Sequence, residues 1–351
     1  MRDSTEQPDG ASPAVSSGGW LHAWVGLAVS VACVVLTLRG VRIADVVGAL
    51  RRADVFLVLV AAVSTEVTIL AKAARWRTLF RLRTSVSVWR TFSILSIGLV
   101  VNAFAPARLG ELVRAYMIGE AEADSKTFAL GTIGVEKVLD LLALVVSLAV
   151  LFYFIPLPNW LVGPARVTSV TLVIAVILVV LLDWKNELAV GWAQWMHRLI
   201  PAVPREWLER QVRHGLASLS VIRHPRLLAE LLAWTAVIWV LSVATNLIVL
   251  KAMGLSVSLW SSVLLLAVLQ VGVAVPSSPG KIGVFHYLTV LTLSIFQVPR
   301  DAALGYAVVL HLVVYVPIAL VGAWCVWQEG VPWQRMLQAA SRVYRSTERP
   351  A

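Results

Sequence analysis

Long apolar runs, interrupted at two places by the same short pattern, set the layout of this chain. Apolar residues predominate over about residues 21–38, 55–74, 91–105, 127–154, 164–182, 226–250, 259–275, 282–297 and 302–327. A helix crosses the hydrocarbon core with about 20 apolar residues. Six full spans are therefore predicted, near 21–38, 55–74, 127–154, 160–182, 226–250 and 302–327. The runs at 91–105, 259–275 and 282–297 are short and border the two interruptions. The first interruption reads Pro106-Ala107-Arg108-Leu109-Gly110, the second Pro279-Gly280-Lys281-Ile282-Gly283. Each gives proline, small residue, cation, branched aliphatic, glycine. Proline removes a backbone donor and glycine loosens the chain. Irregular backbone at membrane depth is tolerated only inside protein or along a polar cavity. The short runs thus predict two re-entrant broken hairpins, near 91–118 and 259–297.

Pro106 and Pro279 lie 173 residues apart, and the same shift carries 55–74 onto 228–247 and 127–154 onto 300–327. Both targets are apolar runs. Span, broken hairpin and span thus occur twice, in halves of about 55–154 and 228–327. Inverted repeats around a midplane site recur in secondary transporters. The expected fold is an all-α integral membrane protein with about six full transmembrane helices, two re-entrant broken hairpins and an inverted repeat.

Composition supports the membrane reading. Charged residues make up 14% of the chain and hydrophobic ones 59%, where a soluble domain carries about a quarter charged. The net charge of +10 fits loops that collect Lys and Arg on the cytoplasmic side. With no compact basic domain or nucleic-acid motif, nucleic acid is excluded as a partner. Segment 72–90 holds Lys72, Arg75, Arg77, Arg81, Arg83 and Arg90 without an acid, and 183–226 and the tail after 327 are also basic. These three regions place both termini in the cytoplasm, against the single basic loop 39–54. Residues 1–19 read as a disordered cytoplasmic tail, 20–330 as the membrane domain and 331–351 as a basic cytoplasmic tail. Cys33 and Cys325 lie in apolar runs and suggest neither a disulfide framework nor a metal site. Trp20, Trp24, Trp76, Trp160, Trp184, Trp260, Trp324 and Trp327 fall near run ends, as in an aromatic interface belt.

Ionisable residues inside the runs are the candidate chemistry, because each costs about 2.5–3.5 kcal/mol at the bilayer centre unless it faces protein or a cavity. Run 127–154 contains Glu136, Lys137 and Asp140. Glu136 and Asp140, four apart, share a helix face, and Lys137 and Asp140, three apart, are placed to pair. Two readings stand. Either the charges neutralise one another within the helix, or a carboxylate remains to hold a partner such as Arg108 or a transported proton. Around the first interruption lie Asn102, Arg108, Glu111, Arg114 and Tyr116. A short helix starting after Pro106 would set Arg108, Glu111 and Arg114 along one side, with backbone donors and a positive dipole end beside arginine forks suited to phosphate. The bland alternative is an interfacial loop whose arginines snorkel to headgroups. Around the second lie Ser277, Ser278, Lys281 and His286, with Lys281 the counterpart of Arg108. His311 and Tyr315, four apart, are set to face one cavity, and Glu66 is a further buried acid. No phosphate-binding loop, nucleotide glycine pattern or zinc spacing appears, so no cofactor, metal or ATP-driven mechanism is expected.

Three stretches, in order, resemble the lysylphosphatidylglycerol synthase transmembrane family, also called flippase-like domain proteins. They are Asn102 to Arg114, Gly134 to Asp140 (similar to the family's Glu-Arg-x-x-Asp), and Pro276 to His286 (similar to its Pro-Gly-Gly-x-Gly-x-x-Glu). Arg75-Trp76-Arg77 also fits. Lys137 replaces the usual arginine, Lys281 a glycine, and His286 a glutamate. The resemblance covers about residues 20–330 and implies the translocator part alone, without the soluble aminoacyl-transferase domain to which related membrane domains are fused. It implies a bacterial inner-membrane translocator for a lipid with a charged or phosphate-bearing head, such as a modified phospholipid or a polyprenyl-phosphate carrier. Arg108 and Lys281 would attract the head from opposite sides. Glu136 and Asp140 would hold a gate or exchange protons. Pro106, Gly110, Pro279, Gly280 and Gly283 would permit the broken backbone. The rival readings are a membrane glycosyltransferase or lipid-modifying enzyme, for which no donor-nucleotide motif is present, and a scaffold for envelope-synthesis enzymes.

Overall fold

The computed structural model describes residues 17–39, 41–104, 109–121, 126–155, 159–184, 205–272 and 277–330. Pro106 and Arg108, both singled out by the sequence, lie outside the described residues, as do the two tails beyond 17 and 330. The described chain is all α-helix, with two short 3-10 segments and no strand. The helices are α1 (Ser17–Leu38), α2 (Ile43–Arg51), α3 (Val55–Phe80), α4 (Val88–Phe104), α5 (Gly110–Ala121), α6 (Lys126–Phe154), α7 (Asn159–Trp184), α8 (Arg205–Ala217), α9 (Pro225–Ala252), α10 (Leu259–Gly272), α11 (Val284–Ser294) and α12 (Arg300–Glu329).

Among the described residues, α3, α6, α7, α9 and α12 are long and apolar enough to cross a membrane. A sixth span is formed if the pair Leu27–Leu38 and Ile43–Arg51, bent by 84°, counts as one. This is a multi-pass membrane protein. Its outward faces carry the large apolar side chains that lipid demands, for example Val63, Val170, Val240 and Leu320, each more than half exposed. Inward faces pack as three apolar clusters, centred on Trp76 and Phe128, on Tyr306 and Leu310, and on Leu264 and Leu151.

The pairing of α3 with α9 forms the spine. The two run antiparallel over their full length. The Asp54 N–H donates to the Ala252 carbonyl at 2.8 Å at one end, Ser64 meets Thr245 at 2.8 Å in the middle, and Arg81 meets Glu230 at 2.5 Å at the other end. Helix α6 is antiparallel to α3, with Phe80 stacked edge-on against Phe128 and Trp76 donating to Thr132 at 3.0 Å. The chain between them, α4 and α5, therefore leaves and returns at the same end of the bundle. Helix α12 is likewise antiparallel to α9, with Tyr306 donating to the Asn246 carbonyl at 3.3 Å, so α10 and α11 leave and return at the opposite end. Both broken hairpins are thus present, and they open at opposite ends of the molecule.

The order long helix, short helix, break, short helix, long helix occurs twice, over α3–α6 and over α9–α12. The packing follows the same exchange. Helix α4 lies on α12 and α10 lies on α6, and α2 packs on α12 as α8 packs on α6. Two segments read as plain loops contain helices instead. Helix α2 occupies part of 39–54 and α8 part of 183–226. Each is too short and too charged to stand out by hydropathy, and each gains its stability from the long helix beneath it. Gly131 shows how close α8 approaches: a Cβ there would stand 2.6 Å from the Gly215 carbonyl oxygen.

Candidate functional site

The deepest polar cluster forms where α3, α5 and α6 meet. Apolar periodicity ends α3 near residue 74, yet the helix continues to Phe80 and carries Arg75, 1% exposed, into the protein. Arg75 is therefore not part of a cytoplasmic loop, as its place in the basic segment 72–90 suggests. A buried guanidinium is tolerated only with partners, and α6 supplies them one turn apart. Arg75 Nη1 donates to Asp140 Oδ1 at 2.7 Å and to Thr235 Oγ1 at 3.1 Å, and Nη2 lies 3.8 Å from Glu136 Oε1. The other Glu136 oxygen accepts from Arg114 Nη2 at 2.7 Å. Glu136 and Arg114 are both buried, so one carboxylate is shared by two arginines from different helices.

The expected pairing within α6 does not form. Lys137 reaches Glu111 of α5 at 2.6 Å, and Asp140 is taken by Arg75. The cause is rotational. Glu136 and Asp140 face α3, whereas Lys137 lies on the neighbouring, more exposed side, where Glu111 comes across from α5. Helix α5 presents Glu111 and Arg114, three apart, to α6 as one row, as their spacing suggests. Arg75, Arg114 and Lys137 set against Glu111, Glu136 and Asp140 balance the cluster, three cations to three carboxylates.

Packing fixes Arg114 with little freedom. Its guanidinium carbon stands 4.1 Å over the Trp76 ring, a stacking that suits a planar cation. Trp76 is fully buried and does not belong to an interface belt: the arginine above it and Thr132 beside it hold it in the core. Exposed tryptophans at run ends do remain at Trp160, Trp324 and Trp327. The stem of Arg114 runs past Gly98 of α4, where a Cβ would come 2.5 Å from Arg114 Cγ. A Cβ on Gly110 would come 1.9 Å from the Gly98 carbonyl oxygen. The two glycines let α4 and α5 touch backbone to backbone. Asn102 closes the same hairpin, its Oδ1 accepting from the Gly110 N–H at 2.8 Å.

The second hairpin breaks at the 3-10 turn Pro279–Lys281, where Gly280, Lys281 and Gly283 have positive φ of 68°, 55° and 93°. Gly283 also receives α1: a Cβ there would stand 2.4 Å from the Ser30 carbonyl oxygen, and Ser30 Oγ accepts from the Ser278 N–H at 2.7 Å. The turn itself packs against α4, so the second break reaches the first hairpin. His286 lies in an aromatic group with Phe285, His311 and Tyr315. The His286 and His311 rings are 5.1 Å apart, and His311 stacks on Tyr315 at 4.2 Å. Both His Nδ1 atoms are buried without a hydrogen-bond partner, as are both oxygens of Glu66. Glu66 and Lys72 form no ion pair; they lie six apart, out of helical register.

Sequence reasoning left out Gly98, Thr132 and Thr235, none of which differs in type from ordinary small and polar helix residues. For Trp76, a clue was its place next to Arg75 in the Arg-Trp-Arg triplet. No group of three or more metal-ligating side chains occurs among the described residues.

Residues 23–322 match the family described as the lysylphosphatidylglycerol synthase TM region. A UPF0104 membrane protein of Methanothermobacter thermautotrophicus is 26% identical over 313 residues, which cover 84% of this chain and 90% of its own length. The match takes in both broken hairpins and the arginine–carboxylate cluster that joins the first of them to α3 and α6, and by that match this chain belongs to the lysylphosphatidylglycerol synthase transmembrane family.

Proposed function

We propose that the protein moves a lipid with a charged or phosphate-bearing head across the membrane, and that α3–α6 and α9–α12 are an inverted repeat whose broken hairpins form the path. The observation that carries this reading is the shared Glu136 carboxylate. Buried between Arg75 of α3 and Arg114 of α5, it ties the re-entrant hairpin to the fixed α3–α9 spine by charge rather than by apolar packing alone. Breaking a buried pair by removing one partner costs about 3–5 kcal/mol, so an anion that takes over Arg114 supplies the missing partner and releases the hairpin. The two arginine forks that meet at Glu136 suit an anionic, phosphate-bearing head better than a cationic one. Arg108 and Lys281 are assigned the outer approach to it from the two ends, with the glycines and prolines of both breaks as the pivots. The basic segments support placing both termini in the cytoplasm, and a bacterial inner membrane is part of the same proposal.

The test is lipid movement in vesicles reconstituted with the purified full chain, read with a headgroup-labelled anionic phospholipid and a membrane-impermeant quencher. Wild type is expected to expose label to the quencher faster than empty vesicles do. Arg114→Gln and Glu136→Gln are expected to lose at least about tenfold of that rate, the factor equal to about 1.4 kcal/mol. Wild-type movement in both variants ends the proposal.

A further inference from the structure

The basic loop 39–54 runs against the charge bias of the other basic segments, and the fold gives its cations no internal use. Its helix, α2, sits at the end of the bundle where the second hairpin leaves and returns. The Arg42 N–H donates to Asp301 Oδ1 and Arg300 donates to the Arg39 carbonyl, both at 3.3 Å, at the start of α12. Helix α2 turns 84° away from the line of α1 and rests on α12 through Val46, Ala49 and Leu50, which lie three and four apart. Gly305 makes room for it: a Cβ there would stand 3.4 Å from Ala49 Cβ. A second stripe of α2, Ile43, Val47 and Arg51, each four apart, stays uncovered. Ile43 is 70% exposed, and Val55 and Phe56 at the start of α3 are 69% and 71% exposed.

The carboxylates at this end are already occupied. Asp45 pairs with Arg42 Nε at 2.7 Å, Asp54 accepts from the Leu57 N–H at 3.2 Å, and Asp301 accepts from the Arg42 N–H. Arg39, Arg51, Arg52, Lys251 and Arg300 are exposed and have no carboxylate partner among the described residues. Arg51 and Arg52 stand at the C-terminus of α2, where positive charge suits the helix dipole, but that leaves their side-chain donors unused. The mixture of side chains identifies the ligand. Exposed aliphatics beside arginines are the pattern of a helix that lies in a membrane interface, with its apolar side toward acyl chains and its cations at the phosphates. Arginine forks match phosphate oxygens. A soluble polyanion would satisfy the arginines and leave Ile43, Val47, Val55 and Phe56 in water, and a zwitterionic headgroup brings a cation of its own.

We propose that α2 and the start of α3 form an interfacial surface that gathers anionic phospholipid on the face of the membrane where the second hairpin opens, independently of lipid translocation. The test places the full chain in phosphatidylcholine nanodiscs with a fluorophore on Ala44→Cys, an exposed position of α2, and with Cys33 and Cys325 replaced by serine. The quencher is phosphatidylglycerol with a nitroxide near the head of its acyl chain, compared with phosphatidylcholine carrying the same nitroxide. Phosphatidylglycerol is expected to quench with at least about fivefold higher relative affinity, the factor that one cation near a lipid surface supplies. Arg51→Gln combined with Arg52→Gln is expected to remove most of that preference and to leave quenching by phosphatidylcholine unchanged, which shows α2 still in place. Should the double variant displace α2, wild type still decides, because raised ionic strength is expected to weaken the preference. Ile43→Ser combined with Val47→Ser is expected to lower quenching by both lipids. Arg226→Gln, an equal kind of charge loss at the other end of α9, is expected to have no effect. Glu136→Gln is expected to keep the preference, so failure of the translocation reading leaves this surface standing. Equal quenching by the two lipids in wild type, or a preference that survives both the arginine variant and raised salt, overturns the surface. Inorganic phosphate that cancels the preference where chloride of equal ionic strength does not overturns the lipid as its occupant.

Discussion

At the residue scale, the two ion pairs that join α5 to α6 differ in kind despite similar lengths. Glu136 and Arg114 are buried, whereas the Lys137 side chain is 55% exposed against Glu111. An exposed pair contributes about 0–1 kcal/mol, because water already solvates both charges. A buried one is costly to break, because the surviving charge cannot be rehydrated. Glu136→Gln strands two arginines at once and is expected to lower stability by about 3–5 kcal/mol. Lys137→Ala is expected to change it by less than about 1 kcal/mol. Thermal unfolding of the purified variants in one detergent compares the two, and an equal shift for both would mean that the cluster is hydrated. The same contrast concerns Arg75, which serves Asp140, Thr235 and Glu136 from separate nitrogens. Arg75→Lys keeps the charge but loses the fork, and is expected to be almost as destabilising as Glu136→Gln in the same melts.

At the element scale, the first hairpin depends on two glycines that have no room for a side chain. Gly110→Ala places a methyl 1.9 Å from the Gly98 carbonyl oxygen, and Gly98→Ala places one 2.9 Å from the Gly110 carbonyl oxygen as well as against the Arg114 stem. Backbone contact cannot yield as a flexible side chain does, so each substitution is expected to cost about 1–3 kcal/mol through forced separation of α4 from α5. Gly134→Ala has nothing within 4 Å and gains helix propensity of up to about 1 kcal/mol, so it is expected to be neutral or stabilising. Melting temperatures that fall equally in all three would deny the close approach. These elements also show what the sequence makes legible. Both hairpins and the five long helices are visible because apolar length and Pro/Gly breaks are local properties. The family motifs mark Glu136, Asp140 and Arg114 for the same reason. The partner of Asp140 is not visible in this way, because local spacing favours Lys137 while the winning contact comes from Arg75, 65 residues earlier. Hydropathy likewise ends α3 at the first cations, since it does not register that α6 brings carboxylates to meet them. Helices α2 and α8 are hidden because their stability is tertiary.

At the scale of the whole molecule, the direction in which each hairpin opens is the property that separates an inverted repeat from two similar hairpins on one side. The turn from α3 to α4 lies beside the start of α9, through Arg81 and Glu230, while the turn from α9 to α10 lies beside the start of α3, through Ala252 and Asp54. A long helix of about 26 residues separates these levels, which at about 1.5 Å per residue is close to 39 Å, more than the hydrocarbon core of about 30 Å. The two turns therefore face opposite aqueous compartments. Ser85 and Ser258, both exposed, sit in those turns and suit labelling as Ser85→Cys and Ser258→Cys, in a background with Cys33 and Cys325 replaced by serine. With an impermeant maleimide on intact cells, Ser258→Cys is expected to react and Ser85→Cys to react only after the membrane is opened, if the arginine-rich α3–α4 turn is cytoplasmic as proposed. Inverted-membrane vesicles should reverse the order. Reaction of both positions from one side would mean that the second hairpin enters from the same face as the first. The exchange of packing between α4 on α12 and α10 on α6 would then no longer describe a molecule that opens alternately to its two sides.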